Sequence, residues 1–268
     1  MRRTLLSVLF LTILLQATAS FAGLLLQFED KGPEGNKAQK MTFQLQGKKL
    51  RVENPNGGVM IFDGDQQKLW SIDTRQKVYS EITEADAARI KETREKMEKQ
   101  MREQMGKMPP EQREQMEQML EKMKQDNRDT PRKLTFEPIG GGNKKMASGF
   151  SCTPHRVIEE GKAIEEICFI PWKESGLSLQ DFQAFDAFDQ FMKKIGADTK
   201  SQGRIFQDLK QSPGIPAHVL MLGQEKAPRR EQEMTALKRE EIPAGRFTLP
   251  EGLQKKAISP APGDTSRN

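Results

Sequence analysis

From Leu24 to Ile82 the chain is written in six short runs with the composition of β-strands. They are LLLQFED, KAQKMTFQLQG, KKLRVEN, GGVMIFDG, QKLWSID and QKVYSEI. Turn signals separate them: Asn54-Pro55-Asn56-Gly57-Gly58 is a loop, and Asp63-Gly64-Asp65 and Asp73-Thr74-Arg75 are hairpin turns. Such runs are too short for helices and alternate with period two. Met41, Phe43 and Leu45 share one face of their strand, and Trp70 and Ile72 share a face of theirs. The expectation is an antiparallel meander with one buried face.

At Thr83 the period changes. Thr83 is placed as an N-cap with Asp86 at the capping-box position, and a charged helix then runs to about Lys107. Gly106 and Pro109-Pro110 break it, and a second helix is expected from Pro110 to Gln125. Residues 83–126 therefore read as a helical hairpin inserted in a β protein. Strand patterns return at RKLTFEPI, FSCTPHRVI, AIEEICFIPW, IPAHVLMLGQ and REQEMTALKREEIP. Between them lies SLQDFQAFDAFDQFMKKIG, the clearest helix. Ser178 caps it, Asp181 closes the box, Gly196 ends it, and Phe182, Phe185, Phe188, Met192 and Ile195 recur at helical spacing. The fold class expected is α+β: a strongly curved antiparallel sheet, an open half-barrel, packed on a Phe-rich helix.

The first 22 residues read as a secretory signal peptide. Arg2 and Arg3 precede an apolar run from Leu5 to Leu15, and small residues end at Ala22. That run is too short to span a bilayer, and no later segment approaches membrane length. A single domain is expected over 23–253, followed by a disordered polar tail over 254–268. The location expected is periplasmic or secreted. The only two cysteines, Cys152 and Cys168, would then sit in an oxidising compartment and form one disulfide. Folding the hairpin about Glu160 brings them opposite each other.

The charge balance, 43 Lys and Arg against 38 Asp and Glu, gives no reason to expect nucleic acid as a partner. Signals for an enzyme are thin. His155 and His218 each sit in a strand pattern, and most carboxylates interleave with Lys or Arg on helices, as on a solvated face. HExxH, GxSxG, CxxC and Gly-rich phosphate loops do not occur. No cofactor and no catalysis are expected.

Seven of the 14 methionines lie between Met97 and Met123. Met97, Met101 and Met105 form one helical stripe, and Met116, Met119 and Met123 a matching one. Three readings compete. Methionine can replace leucine along the seam of a helix pair. It can form a deformable face for lipid, peptide or a protein partner. Its thioethers can ligate Cu(I) or Ag(I) as an envelope metal buffer.

A signal peptide followed by KMTFQLQGKKLRVENPNGGVMIFDGDQQKLWSIDTRQKVYSEI, and later by GFSCTPHRVIEEGKAIEEICFIPWKESGLSLQDFQAF, resembles the bacterial secreted family called domain of unknown function 4412. More loosely, Trp70, Ile72 and Tyr79 in one hairpin, with Phe247, Pro250 and Gly252 near the end, resemble the periplasmic lipoprotein-carrier (LolA/LolB-like) fold. That resemblance implies an unclosed antiparallel barrel holding acyl chains in an apolar cavity. The function expected is non-enzymatic binding of an apolar ligand, such as an acyl chain, a lipid or an amphipathic peptide. The expected lining is Phe43, Leu45, Met60, Phe62, Trp70, Ile72, Phe182, Phe185 and Phe188.

Overall fold

The computed structural model describes residues 22–31, 38–106, 108–109, 112–114, 117, 133–195, 206, 208–222 and 230–257. The six N-terminal runs form six strands in succession: β1 (Gly23–Lys31), β2 (Gln39–Gln46), β3 (Lys49–Glu53), β4 (Gly58–Asp63), β5 (Lys68–Asp73) and β6 (Val78–Thr83). Two of their hairpins share one device. Asp63 Oδ1 accepts from the N–H groups of Asp65 and Gln66, and Asp73 Oδ1 accepts from those of Arg75 and Gln76. Each turn closes with a residue in the left-handed region, Gln67 at φ 51° and Lys77 at φ 54°.

Helix α1 (Glu84–Met105) leaves β6 through the expected capping box. Asp86 Oδ2 accepts from the Thr83 N–H and hydroxyl, both at 2.8 Å. The chain returns as β7 (Leu134–Pro138), β8 (Lys144–Lys145), β9 (Ser151–Glu159) and β10 (Lys162–Pro171). A short α2 (Trp172–Ser175) and a 3-10 turn (Leu179–Phe182) lead into α3 (Gln183–Lys194). Ser178 is the N-cap of the 3-10 turn rather than of the α-helix itself, and its N–H donates to Asp181 Oδ2 at 2.8 Å. Strands β11 (Gly214–Met221) and β12 (Arg230–Glu240), a second 3-10 turn (Ala244–Phe247) and β13 (Gln254–Lys255) complete the order.

One sheet takes all these strands in the order β13-β6-β5-β4-β3-β2-β1-β12-β11-β10-β9-β7, with β8 paired to β9. The ends, β13 and β7, do not pair with each other, so the sheet stays open. Register shifts interrupt it at Gln27/Phe28, Ala163/Glu165 and Cys168/Phe169. An extra residue in one strand of a pair raises twist and bends the sheet, which is how its curvature is built. Every pair is antiparallel except β13 with β6, which is parallel. The ordered domain therefore continues past residue 253, where the sequence reading begins the tail. Gln254 N–H donates to Lys77 O and Lys256 N–H to Tyr79 O. Residues 1–21, with the expected signal peptide, and those from 258 onward lie outside the described set. No described helix is long and apolar enough to cross a membrane.

Cys152 and Cys168 form the expected disulfide. The hairpin turns between Glu160 and Gly161 rather than at Glu160, and the bulge at Ala163/Glu165 slips the register by one more residue, so Pro154 rather than Cys152 stands opposite Cys168. The bridge runs diagonally over a Cα separation of 5.3 Å.

The meander does not have a single buried face. One face of β2–β5 contributes Phe43, Leu45, Leu50, Phe62 and Leu69 to the main core, together with Phe182, Phe191 and Met192 from the helical segment. The opposite face contributes Val59, Ile61, Trp70 and Ile72 to a second cluster, which Ile242, Phe247, Leu249 and Leu253 cover from the C-terminal segment. A third cluster, Val157, Ile167, Phe169 and Val219, belongs to the β9–β11 end.

Candidate functional site

The main core is an aromatic layer between sheet and α3. Phe28 and Phe43 come from β1 and β2, Phe62 from β4, and Phe182, Phe185, Phe188 and Phe191 from the helical segment. Helical spacing puts all four of the last group on the sheet side. Phe191, fully buried at 0% exposure, is absent from the expected lining, although it follows Phe188 by three residues. Phe206 arrives from a separate segment. Its ring stacks on Phe185 with centroids 4.4 Å apart and meets Phe28 and Phe43 edge-on at 5.7 and 5.6 Å. Phe62 is held between Phe188 and Phe191 at 5.4 and 5.2 Å.

Of the nine expected lining residues, Phe43, Leu45, Met60, Phe62, Phe182, Phe185 and Phe188 share this core. Trp70 and Ile72 do not. Strand alternation sends Leu69 to the main core and turns Trp70 and Ile72 to the far face, under the C-terminal segment. Trp70 Nε1 donates to Glu81 Oε2 there at 2.9 Å. Coverage of the layer is uneven. Leu45, Phe62 and Phe182 are buried, whereas Met41, Met60, Phe185 and Phe188 are only partly covered at its rim.

The rim at Met41 opens into a cleft of about 280 Å³ lined by Asp30, Gln39, Met41, Asn54, Pro55, Asn56, Gly58 and Gln232. Pairing of Asp30 with both Gln39 and Gln232 puts these three polar residues side by side across β2, β1 and β12. They stand on the same face as Phe28 and Met41, which pair two residues along. Gln232 Nε2 donates to Asp30 Oδ2 at 3.3 Å, while Gln232 Oε1 is buried and accepts no hydrogen bond among the described residues. The sequence does carry a signal for this cleft. Asp30, Gln39 and Gln232 are polar residues in phase with apolar ones, Phe28, Met41 and Met234.

A charged cluster lies on the other side of the same strands. Lys31 Nζ reaches Glu231 at 3.1 Å and Glu233 at 2.8 Å, and His218 Nε2 lies 3.0 Å from Glu231 Oε1. The hydrogen bonds that Lys31 donates to Glu233 and Glu231 raise its pKa. The His218 contact and Lys31 hold Glu231 below the ordinary carboxylate range. His155 is buried, its Nδ1 donating to Thr153 O at 2.9 Å and its ring edge-on to Phe169 at 5.5 Å. Lys31, His218, Glu231 and Glu233 thus pair among themselves, apart from His155. Among the described residues no three His, Cys, Asp or Glu side chains come together as a metal site.

Exposure along the methionine stripe falls steadily. Met97 is 53% exposed, Met101 is intermediate and Met105 is buried. Met116, Met119 and Met123 lie outside the described residues, so the facing half of the expected seam is not placed. The base of α1 is tied to the end of α3 by Lys194 Nζ to Glu84 Oε1 at 3.2 Å.

Comparison with protein-family models and with curated proteins gave no match. Among solved structures, an uncharacterized conserved protein from Thermus thermophilus is similar at 9% identity, over 88% of this chain and 91% of that one, with a TM-score of 0.42. A structure of PNGF-II is similar at 7% identity, over 88% of this chain and 31% of that one, with a TM-score of 0.37.

Proposed function

We propose that this protein is a non-enzymatic binder of an apolar ligand, an acyl chain, lipid or amphipathic peptide, held between the curved sheet and α3 in an oxidising compartment. The observation that carries the reading is the uneven cover of the aromatic layer. Met41, Met60, Phe185 and Phe188 form a partly exposed apolar rim above a buried floor of Leu45, Phe62 and Phe182. An apolar chain laid along that rim removes its remaining exposed surface from water, at about 25 cal/mol per Å². Methionine suits the rim because its unbranched side chain repacks around ligands of different shape. The disulfide fits the compartment, since such bonds persist outside the reducing cytosol. Phe206 fills the layer and has to move for a chain to enter deeply.

The test is a titration with N-phenyl-1-naphthylamine, a neutral dye that brightens in apolar sites, alongside native mass spectrometry of protein purified without detergent. The reading expects saturable dye uptake, competed by amphiphiles with twelve-carbon chains, and co-purified masses of acyl-chain or phospholipid size. Absence of saturable uptake rejects it.

A further inference from the structure

We infer that the outer face of β3–β6 is a docking groove for an extended segment of a partner protein, one with a basic residue on each side of an apolar centre, and that the chain's own C-terminal segment occupies this groove in cis. The groove lies on the opposite side of the sheet from the aromatic layer and does not rest on the apolar-ligand reading. The C-terminal segment is held as a bound peptide is held. From Ile242 to Ala257 only Ile242 and Phe247 are buried, Arg246, Leu249 and Leu253 are half-buried, and the rest are exposed. Ile242 belongs to the fold itself, because it packs on Gly23, where an added Cβ would meet its side chain at 2.5 Å. Pro243 follows, exposed and extended at φ −57° and ψ 135°. Past this pivot the one buried anchor is Phe247, in the cluster of Val59, Ile61, Trp70 and Ile72. The main chain then joins β6 through two residues in parallel, Gln254 beside Val78 and Lys255 beside Tyr79. Gln254 N–H donates to Lys77 O at 3.0 Å and Lys256 N–H to Tyr79 O at 2.8 Å. A strand added to a sheet edge, with a side chain in a pocket beside it, is a general mode of peptide recognition. An element with so few buried contacts is also among the first to open locally.

The groove also reads charge, which sets the chemistry of its occupant. At one end the Arg246 guanidinium donates to Glu53 and, through Nε, to Gln44 Oε1 at 3.1 Å, while Arg51 Nη1 holds the Arg246 carbonyl at 3.0 Å. At the other end Glu81 Oε1 accepts from Lys255 Nζ at 2.7 Å, and Gln76 Oε1 from Lys256 Nζ at 3.0 Å. Between these cations lie Phe247, Leu249 and Leu253, which meet the apolar face. An arginine, an aromatic ring, aliphatic residues and a lysine, in that order and in extended form, are therefore what this face binds. A partner segment with that pattern meets the same carboxylates, the same apolar seat and the same edge of β6. The tether makes the resident segment a strong competitor, since a short link holds it at an effective concentration on the order of millimolar. A segment arriving in trans binds only those molecules whose groove is open, and its apparent affinity falls by that fraction.

The experiment uses the full chain and, as probe, a fluorescein-labelled peptide with the sequence of residues 243–256, read by fluorescence anisotropy. The wild-type protein should bind it weakly. Arg246→Met and Phe247→Ala each weaken the resident segment while the probe stays intact, and both variants should bind the probe at least tenfold more tightly than the wild type. A probe whose phenylalanine is alanine should lose that gain, and Glu53→Gln added to Arg246→Met should reduce it severalfold. Circular dichroism confirms the fold, and Arg246→Met carries the test where Phe247→Ala fails to fold. No gain in a folded variant overturns the inference, whether the segment stays seated or the face it leaves takes no peptide. Equal binding of the probe without its phenylalanine overturns it as well. A wild-type dimer in sedimentation that the probe dissociates gives the groove to a second copy of this chain and overturns the assignment to a different partner.

Discussion

Phe206 lies face to face with Phe185, ring centroids 4.4 Å apart and planes within 8°. Offset stacking of this kind adds about 0.5–1.5 kcal/mol beyond the area buried. It makes Phe206 the ring that fills the aromatic layer from outside the sheet and α3. Phe206→Ala should lower stability by about 3–5 kcal/mol, in the range for a buried aromatic cut to alanine. In the apolar-ligand reading it should also tighten N-phenyl-1-naphthylamine severalfold, because the side chain that competes with the ligand is gone. Chemical denaturation and the dye titration on one preparation check both. A loss of stability with no gain in dye affinity makes Phe206 core and nothing more.

The diagonal bridge from Cys152 to Cys168 closes a loop of sequence separation 16. In the chain-entropy model a loop of this size contributes about 3 kcal/mol. The double variant Cys152→Ala with Cys168→Ala should show that loss in guanidinium unfolding, with a slope equal to or steeper than the parent's because the unfolded chain is no longer cross-linked. The wild-type protein with its disulfide reduced should show a similar loss. A variant as stable as the parent would mean that strand pairing alone fixes the hairpin.

These elements differ in how far they can be read from the chain. The six N-terminal strands, the capping boxes at Thr83 and Ser178 and the cysteine pair are local features, set by neighbours within a few residues. What covers each sheet face is not local. Ile242 and Phe247 shield Trp70 and Ile72 from about 170 residues away, so nothing near Trp70 announces that its face is the outer one. The register that sets Pro154 opposite Cys168 comes from a turn centred between Glu160 and Gly161 and a bulge at Ala163/Glu165, and Glu165 reads like any polar strand residue. Phe206 lies in a stretch of sequence with no apolar period, so no pattern points to it. The cleft residues are legible in principle, as polar side chains at positions where the strand period calls for apolar ones.

Lys77 sits at φ 54° at the end of the β5–β6 turn, in a region where a Cβ is unfavourable. Its backbone carbonyl accepts from Gln254 N–H, and glycine preserves that bond. Lys77→Gly should raise stability by about 0.5–1 kcal/mol, since relief of the left-handed strain exceeds the entropy that glycine adds to the unfolded chain. Lys77→Val, whose branched Cβ fits that region worst, should lower it. Thermal unfolding of the pair gives opposite shifts if the turn is strained. Matching shifts would show that it is not.

The C-terminal segment is held on the outer face by two carboxylates, and both make it sensitive to acid. Burial pushes the Glu53 pKa up, but the hydrogen bond and charge of Arg51, together with the charge and hydrogen bond of Arg246, outweigh it and hold the group below its ordinary value of 4.5. Arg246 also donates to Gln44 Oε1 at 3.1 Å, and Arg51 Nη1 donates to the Arg246 carbonyl at 3.0 Å. Glu81 is lowered first by the hydrogen bond from Lys255 and next by that from the Trp70 indole. A carboxylate with a depressed folded pKa contributes stability above its unfolded pKa and loses it as pH falls through the folded value. The segment should therefore stay seated at neutral pH and loosen below about pH 4.5. Trp70 is 7% exposed beneath it and reports the change. In a Trp172→Phe background, Trp70 emission should shift to the red on acidification below that point. Arg246→Met should move the midpoint to higher pH, because Glu53 loses a partner that favours its charged form while its burial remains. Coincidence of the Trp70 transition with global unfolding in both proteins, at an unchanged midpoint, would show that these two carboxylates do not govern the segment.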